Sequence, residues 1–369
     1  MRVQLVDPSA FTPPYDHALA AALARAGADV ELITSRFLYG PVPGAEGYRV
    51  TELFYRRTAA RGLTAGRRAL KAVEHLPDMA RLRRSADADI VHFQWLTVPA
   101  LDALLLPATR PRVMTGHYIL PPRPKRRQLA TARRLFGGMD AVVAHSEHGA
   151  GRLRDEVGVP SERVRVIPHG AFDYLTRLPA DRPLPDELAE VEGIVILFFG
   201  LLRPYKGIDV LLEAFAHIQG AELWIVGMPR MPIEPLRRAA DAAPGTVRFV
   251  PRFITDPEIP AFFRRADIVA LPYRDAEHSG VLYTGLAFGK PMVLSAVGGF
   301  AELAARDAAA RIVAPEDPAA LAQALAELVD DAAARAELGA AAARAAAGPY
   351  SWDEIGRRTF ALYEELLGR

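Results

Sequence analysis

Ile194-Val195-Ile196-Leu197-Phe198-Phe199-Gly200-Leu201-Leu202-Arg203-Pro204-Tyr205-Lys206-Gly207 is the stretch on which the fold turns. Its first six residues have the length and the β-branched and aromatic content of a strand buried on both faces of a parallel sheet. Beyond it Leu211, Leu212, Phe215 and Ile218 recur at helical spacing, which predicts a helix over Ile208 to Ile218. Arg203 and Lys206 therefore stand where a strand ends, and in open parallel sheets ligands collect at the carboxyl ends of strands. A guanidinium that chelates two oxygens, beside an ammonium that acts as a point charge, suits a phosphate. Two surface cations on a solvated loop are the alternative reading of these residues alone.

The same alternation runs through the whole chain. In the first half strands are predicted at Val3 to Val6, Val30 to Thr34, Ile90 to Phe93, Val113 to Thr115, Ala141 to Ala144 and Val164 to Ile167, with a helix at Ala18 to Ala26. The Pro-rich, charged stretch from Gly170 to Glu192 reads as a domain crossing. The pattern then restarts, with strands at Ile194 to Phe199, Glu222 to Val226, Val247 to Val250, Ile268 to Leu271 and Met292 to Ser295. Helices are predicted at Ile208 to Ile218, Ile259 to Arg265, Val281 to Phe288 and Ala319 to Ala346. Two doubly wound α/β units in tandem account for this order.

A length of 369 residues agrees with two domains of about 150 to 200 residues each. Half the residues are apolar and 24% are charged, a globular composition. There is no cysteine, which excludes disulfides, thiolate metal sites and cysteine nucleophiles. The start lacks the apolar core of a signal peptide, and no apolar run approaches the roughly 20 residues that span a bilayer, so the expectation is a cytosolic protein.

The net charge of +1 hides an asymmetry, because residues 1–185 hold 27 Lys plus Arg against 18 Asp plus Glu while residues 186–369 hold 18 against 26. Much of the excess lies in Arg49, Arg56, Arg57, Arg61, Arg67, Arg68, Lys71, Arg81, Arg83 and Arg84, and in Arg123, Lys125, Arg126, Arg127, Arg133 and Arg134. Solvated helix faces are the plain reading. The sharper one is attraction to an anionic acceptor or to anionic headgroups at the inner face of a membrane. Nucleic acid is not expected, since no basic segment is interleaved with stacking aromatics.

A nicotinamide or flavin enzyme is disfavoured by the first strand-to-helix turn. Asp7-Pro8-Ser9-Ala10-Phe11-Thr12-Pro13-Pro14-Tyr15 has none of the glycines that let a backbone approach a pyrophosphate. A second anion signal follows Ile268 to Leu271, in Pro272-Tyr273-Arg274-Asp275-Ala276-Glu277-His278-Ser279-Gly280-Val281. Ser279-Gly280 at the start of a helix presents free N–H groups and a hydroxyl to an anion in front of it.

Taken together these segments resemble glycosyltransferase family 4, whose members have the GT-B fold of two facing Rossmann-like domains. The resemblance rests on Phe199 to Gly207 with Leu211-Leu212-Glu213-Ala214-Phe215, on Leu223-Trp224-Ile225-Val226-Gly227 and on Ala266-Asp267-Ile268-Val269-Ala270-Leu271-Pro272. Further landmarks are Ser279 to Pro291, Val297-Gly298-Gly299, Thr115-Gly116-His117, Val166-Ile167-Pro168-His169-Gly170 and Tyr350-Ser351-Trp352. The resemblance implies an acceptor-binding domain over 1–185, a nucleotide-sugar domain over 186–350 and a last helix, 351–369, returning to the first domain. It implies a retaining, metal-independent transferase with no resident cofactor, moving a sugar from a UDP- or GDP-sugar to a hydroxyl acceptor in glycan, glycolipid or glycosylated-metabolite synthesis.

By that resemblance Arg203 and Lys206 hold the diphosphate and, with His117 near the reacting carbon, carry the catalysis. Gly200, Gly227, Arg252, Ile254, Glu277, Ser279, Gly280, Val281 and Thr284 complete the donor site, while Tyr15, Asp16 and His17 belong to the cleft side of the first domain. His92, His145 and His169, which also follow predicted strands, are read as packing or loop hydrogen bonds. Two departures stand out. The family's two glutamates, eight positions apart, fall on Ala276 and Thr284, with Glu277 one residue from the first. The family's glycine-rich first loop is replaced by Thr12-Pro13-Pro14-Tyr15-Asp16. The missing glutamates motivate one alternative, a non-catalytic nucleotide-sugar-binding subunit, and the same fold allows another, a GT-B nucleotide-sugar epimerase or a phosphorylase.

Overall fold

The structure of the protein, a computed structural model, describes residues 1–60, 67–179 and 182–369. The chain forms two compact units, Met1–Gly170 with Trp352–Arg369, and Ala171–Ser351. The first is built on β1 (Arg2–Asp7), β2 (Asp29–Ser35), β3 (Arg49–Phe54), β4 (Ile90–Phe93), β5 (Arg112–Thr115), β6 (Ala141–Ala144) and β7 (Val164–Val166). These pair in parallel in the order β3-β2-β1-β4-β5-β6-β7. The second is built on β8 (Ile194–Phe199), β9 (Ala221–Val226), β10 (Val247–Val250), β11 (Ile268–Leu271), β12 (Met292–Ser295) and β13 (Ala310–Val313), parallel in the order β10-β9-β8-β11-β12-β13.

In each sheet the winding direction reverses beside the first strand, between β1 and β4 and between β8 and β11. The connections there leave in opposite directions and open a crevice at the carboxyl ends. Each unit has its own core, with Phe54, Met79, Leu82 and Phe93 in one and Phe198, Phe215, Trp224, Phe262 and Phe263 in the other. The central strands are apolar throughout, as sheets covered on both faces require.

The division falls at Gly170 and Ser351 rather than at 185 and 350. The reason is local bonding. The Ala171 amide donates to the Tyr350 carbonyl at 2.8 Å, Leu175 is buried, and Arg264 donates to the carbonyls of Thr176 and Leu178. Gly170 itself lies against the Trp352 indole, whose Cε2 would be 2.5 Å from a Cβ placed there. Helix Trp352–Leu367 packs on helix Pro13–Arg25, where Gly356 rides over Ala22.

Three sequence expectations need correction. The first helix begins at Pro13, not Ala18, so Pro13-Pro14-Tyr15-Asp16 is its first turn rather than a stiff loop; proline lacks only an N–H that this turn leaves unbonded anyway. The alanine-rich region is two helices, Pro318–Asp330 and Ala332–Ala347, because the Asp331 carboxylate accepts from the Ala334 amide and starts a new helix. Strands β3 and β13 were not expected. Both are sheet edges whose outward residues include Arg49, Glu52 and Arg311, and charge on an edge strand masks its periodicity. Among the described residues no helix is long and apolar enough to cross a membrane.

Candidate functional site

In the second unit two loops leave the carboxyl ends of adjacent strands, 200–207 after β8 and 272–280 after β11. They are locked together. Gly207, at φ +65°, lies so close to Pro272 that a Cβ would sit 2.0 Å from the Pro272 carbonyl oxygen. The Arg274 amide donates to the Tyr205 carbonyl at 2.7 Å, and its guanidinium donates to both Asp209 oxygens, to Glu316 and to the Pro204 carbonyl. A guanidinium spanning three segments fixes their relative positions as no single hydrogen bond can. Its bond to Asp209 holds that carboxylate below the usual range.

This lock brings Lys206 and the Ser279 helix start to one place. The space a Cβ at Gly200 would occupy lies 3.0 Å from Lys206 Nζ and 3.2 Å from Val281 Cγ2. Lys206 Nζ stands 4.9 Å from the Tyr273 ring centre, and the Tyr273 hydroxyl is 3.3 Å from Ser279 Oγ. Ser279 is extended and precedes helix Gly280–Ala287, whose first-turn amides have no partner within the helix. Gly227, immediately after β9 and at φ +142°, backs the site: a Cβ there would fall 1.9 Å from the Gly200 carbonyl oxygen.

Lys206 is 7% exposed, and burial, aided by the neighbouring Arg203 charge, draws its ammonium down to about 8. A cation kept from water with one aromatic face for company is poised for an anion. Arg203 is exposed and, among the described residues, makes no ion pair or side-chain hydrogen bond.

The other expected donor residues are placed less uniformly. Thr284 is buried and spends its hydroxyl on the Gly280 carbonyl at 2.9 Å. Glu277 is half-buried in the same loop as Ser279. Arg252 is committed to Glu258 at 2.7 Å, and Ile254 is buried.

In the first unit the carboxyl ends of β1, β4, β5 and β6 gather an aromatic and histidine cluster. His117 is 4% exposed, stacks on Trp95 at 5.0 Å and 10°, and meets the edge of Tyr15 at 4.6 Å. Tyr15 also touches His145, His169 and Trp352. The hydrogen bonds fix protons along a chain. His145 Nδ1–H donates to the Ile167 carbonyl at 3.0 Å, and burial lowers this imidazole to about 4, so it is neutral with a bare Nε2. That nitrogen lies 3.2 Å from His117 Nδ1, which must therefore carry the proton and donate. His117 Nε2 then faces the Gln94 side-chain amide at 3.2 Å, and an amide turned with its nitrogen toward the ring also gives the buried Gln94 nitrogen a partner.

The residues expected on the cleft side of the first domain, Tyr15, Asp16 and His17, lie near the start of helix Pro13–Arg25, and all are buried. His17 shares a 2.7 Å hydrogen bond with Tyr48 and is lowered to about 4 by burial. Asp16 is pushed well up, first by burial and then by the charge of Asp7, so it is a neutral acid that donates to Asp7. The Asp7 carboxylate in turn accepts from the amides of Ser9, Phe11 and Thr12, which holds the first turn without glycines. His169 donates to the Gly170 carbonyl, and His92 is bonded to Tyr363 and Thr115.

Sequence reasoning missed Trp95, Gln94 and His145 as the support of His117, and Tyr273 and Arg274 as the support of Lys206. All but Gln94 are aromatic or charged residues within four positions of a strand's carboxyl end, which was the available signal. Of the basic residues, Arg49 pairs with Asp29 and Arg81 with Asp78, while Arg123, Lys125, Arg126 and Arg127 are exposed. Arg61 lies outside the described residues, as do the side chains of Arg67 and Arg68.

Known proteins carry the same pattern. The family model "Glycosyltransferase Family 4" matches residues 15–171, and "Glycosyl transferases group 1" matches residues 193–331. A D-inositol 3-phosphate glycosyltransferase of Xylanimonas cellulosilytica is 28% identical over 393 residues, covering 95% of this chain and 90% of that protein. Sucrose-phosphate synthase from Thermosynechococcus elongatus superposes with a TM-score of 0.72 at 20% identity, over 100% of this chain and 99% of that one. HepE of Anabaena, solved in complex with UDP-glucose, also gives a TM-score of 0.72 at 20% identity, over 100% of both chains.

Proposed function

Because the chain belongs to glycosyltransferase family 4 and has its GT-B fold, we propose that it transfers a sugar from a nucleotide-sugar to a hydroxyl acceptor, with retention at the anomeric carbon and without a metal ion. The donor is a UDP- or GDP-sugar held by the second unit; the UDP-glucose bound by HepE favours the uridine nucleotide. The observation that carries the reading is the meeting of Lys206, Tyr273, Ser279 and Val281 around Gly200, at the switch point of the second sheet.

As the anomeric bond breaks, negative charge grows on the leaving diphosphate. Lys206, Arg203 and the amides that start helix Gly280–Ala287 meet that charge with donors already in place, so their stabilisation is greatest in the transition state. The acceptor oxygen bonds to the anomeric carbon on the face the diphosphate leaves, and a diphosphate oxygen takes the hydroxyl proton. The products are the glycoside and the nucleoside diphosphate, and no enzyme nucleophile is consumed. His117 takes the role of the family's sugar-side histidine, in the tautomer set by His145. Glu277 stands in for the first of the family's glutamates, and the diphosphate takes over the anchoring that a carboxylate at Thr284 would give the ribose.

The first unit binds the acceptor, which is anionic or lipid-linked. The excess of cations in residues 1–185 supports this, as does the relative named for D-inositol 3-phosphate. The same cations support contact with an anionic membrane surface. Thermal denaturation against UDP-, GDP- and dTDP-sugars tests donor binding, and product analysis with the preferred donor tests transfer. Arg203→Ala with Lys206→Ala should abolish turnover in a chain that still folds; wild-type turnover in that double variant would refute the assignment.

A further inference from the structure

The first unit contains an apolar cavity of 410 Å³ that the donor chemistry does not use. Its depth is made by Met114, Ile119, Leu135 and Phe136, all buried, and its mouth by exposed residues that include Ala100 and Arg127. A concave space of this size, lined mostly by apolar and aromatic side chains and open to solvent, has the size and chemistry of a small-molecule pocket. It lies past the carboxyl ends of β4 and β5, where ligands of such sheets bind.

One wall of the cavity is Trp95, and Trp95 is the ring stacked on His117. The cavity is therefore one indole away from the residue assigned to the sugar. Among the described residues none that lines it is acidic, Arg127 stands at the mouth, and Arg123, Lys125 and Arg126 beside it are exposed. The space thus rejects a polyol, whose hydroxyls would find no partners in its depth, and accepts hydrocarbon with a negative group at the rim.

We propose that this cavity holds the apolar part of the acceptor, an aromatic or short-chain hydrocarbon moiety whose acidic group pairs with Arg127 and whose hydroxyl is presented past Trp95 toward His117. The proposal rests on the transferase reading for the direction in which the hydroxyl points, but not for occupancy of the cavity.

The test uses the full chain and two probes, anilinonaphthalene sulfonate for binding and hydroxynaphthoate, which joins ring, acid and hydroxyl, for transfer. Ala100→Trp and Thr131→Trp each narrow the cavity from its half-open side, and either suffices if the other fails to fold. Sulfonate fluorescence well below the melting midpoint should report saturable binding, weakened roughly tenfold or more in the Trp variants. Arg127→Gln should weaken the sulfonate but not the neutral phenylnaphthylamine. Transfer to hydroxynaphthoate should fall in parallel with binding while donor affinity stays constant.

Naphthyl binding that is absent, or unchanged by both Trp variants, overturns the proposal. So does transfer to an inositol phosphate that outpaces hydroxynaphthoate and proceeds equally in wild type and Ala100→Trp. If no nucleotide-sugar stabilises the chain, the transferase reading falls, and naphthyl binding still decides the cavity.

Discussion

Replacing Lys206 with methionine should make the protein more stable and remove its affinity for nucleotide-sugars. The ammonium is buried and drawn from 10.5 to about 8. Holding it charged at neutral pH therefore costs about 3 kcal/mol of folding free energy, of which contact with the Tyr273 ring returns roughly 1 kcal/mol. Methionine fills similar space without the charge. The variant should gain about 2 kcal/mol, or roughly 4–8 °C in melting midpoint for a unit of this size.

The gain has a defined pH dependence. Below pH 8 Lys206 is charged in both states and the penalty is full. Between about 8 and 10.5 the folded residue is neutral while the unfolded one still binds a proton, so wild-type stability rises with pH and the advantage of the variant shrinks. Chemical denaturation at pH 7 and pH 10, with and without UDP-glucose, measures both effects. Wild type should gain about 2.7 kcal/mol at a donor concentration of one hundred times Kd, and the variant nothing. A Lys206→Met protein that melts below wild type at pH 7 and keeps the donor-induced shift would refute this account of the site.

Gly227→Ala should cost about 3 kcal/mol or more, since its Cβ falls 1.9 Å from the Gly200 carbonyl at a backbone angle that strains any side chain; an unchanged denaturation midpoint would contradict the packing described. Asp16→Asn should raise stability at neutral pH. The native acid stays protonated above its unfolded value, so wild-type stability falls as pH rises from about 4, and the amide should flatten that limb in a pH series of unfolding curves. His145→Leu leaves His117 Nδ1–H without its acceptor, and kcat should drop roughly tenfold with donor KM unchanged; loss of donor affinity instead would show that His145 does not act through His117. Thr284 spends its hydroxyl on Gly280, so deoxyuridine diphosphate should compete within about threefold of UDP, and a preference of a hundredfold or more would reveal a ribose partner elsewhere.

The inner strands of the second unit were legible almost residue by residue, unlike the edge strand β13, because Ile194 to Phe199 and Ile268 to Leu271 are buried on both faces and leave uninterrupted apolar runs. That the loops after β8 and β11 bring Lys206 and Ser279 together was legible from the strand-to-helix order around them. The rigidity of their meeting was not. Arg274 reads in sequence as one more exposed arginine, and only the fold shows it joining Asp209, Glu316 and Pro204. In the first unit single histidines carry no pattern, so the link from Ile167 through His145 to His117 depends on three loops that sequence separation conceals. Arg252, which the resemblance assigns to the donor site, carries no sign in sequence of the ion pair it makes with Glu258, six positions on.

The missing glycines and the missing glutamate have the same kind of physical explanation. At the first turn a buried carboxylate, Asp7, collects three backbone amides that a glycine-rich loop would turn toward a ligand, and Asp16 survives beside it by staying protonated. Those amides are satisfied internally, so the first unit offers a ligand rings and hydrocarbon rather than N–H groups at that turn. At Thr284 a hydroxyl turned back on its own helix replaces a carboxylate that would face the nucleotide. In the proposed donor site a carboxylate would also place negative charge on the helix whose first amides are assigned to the diphosphate, and in a half-dry site that charge would weaken the anion's hold. On the proposed assignment, omitting it concentrates recognition on the diphosphate and relaxes it on the ribose. The donor preference of this enzyme should therefore follow the phosphate chain and the sugar more than the nucleoside.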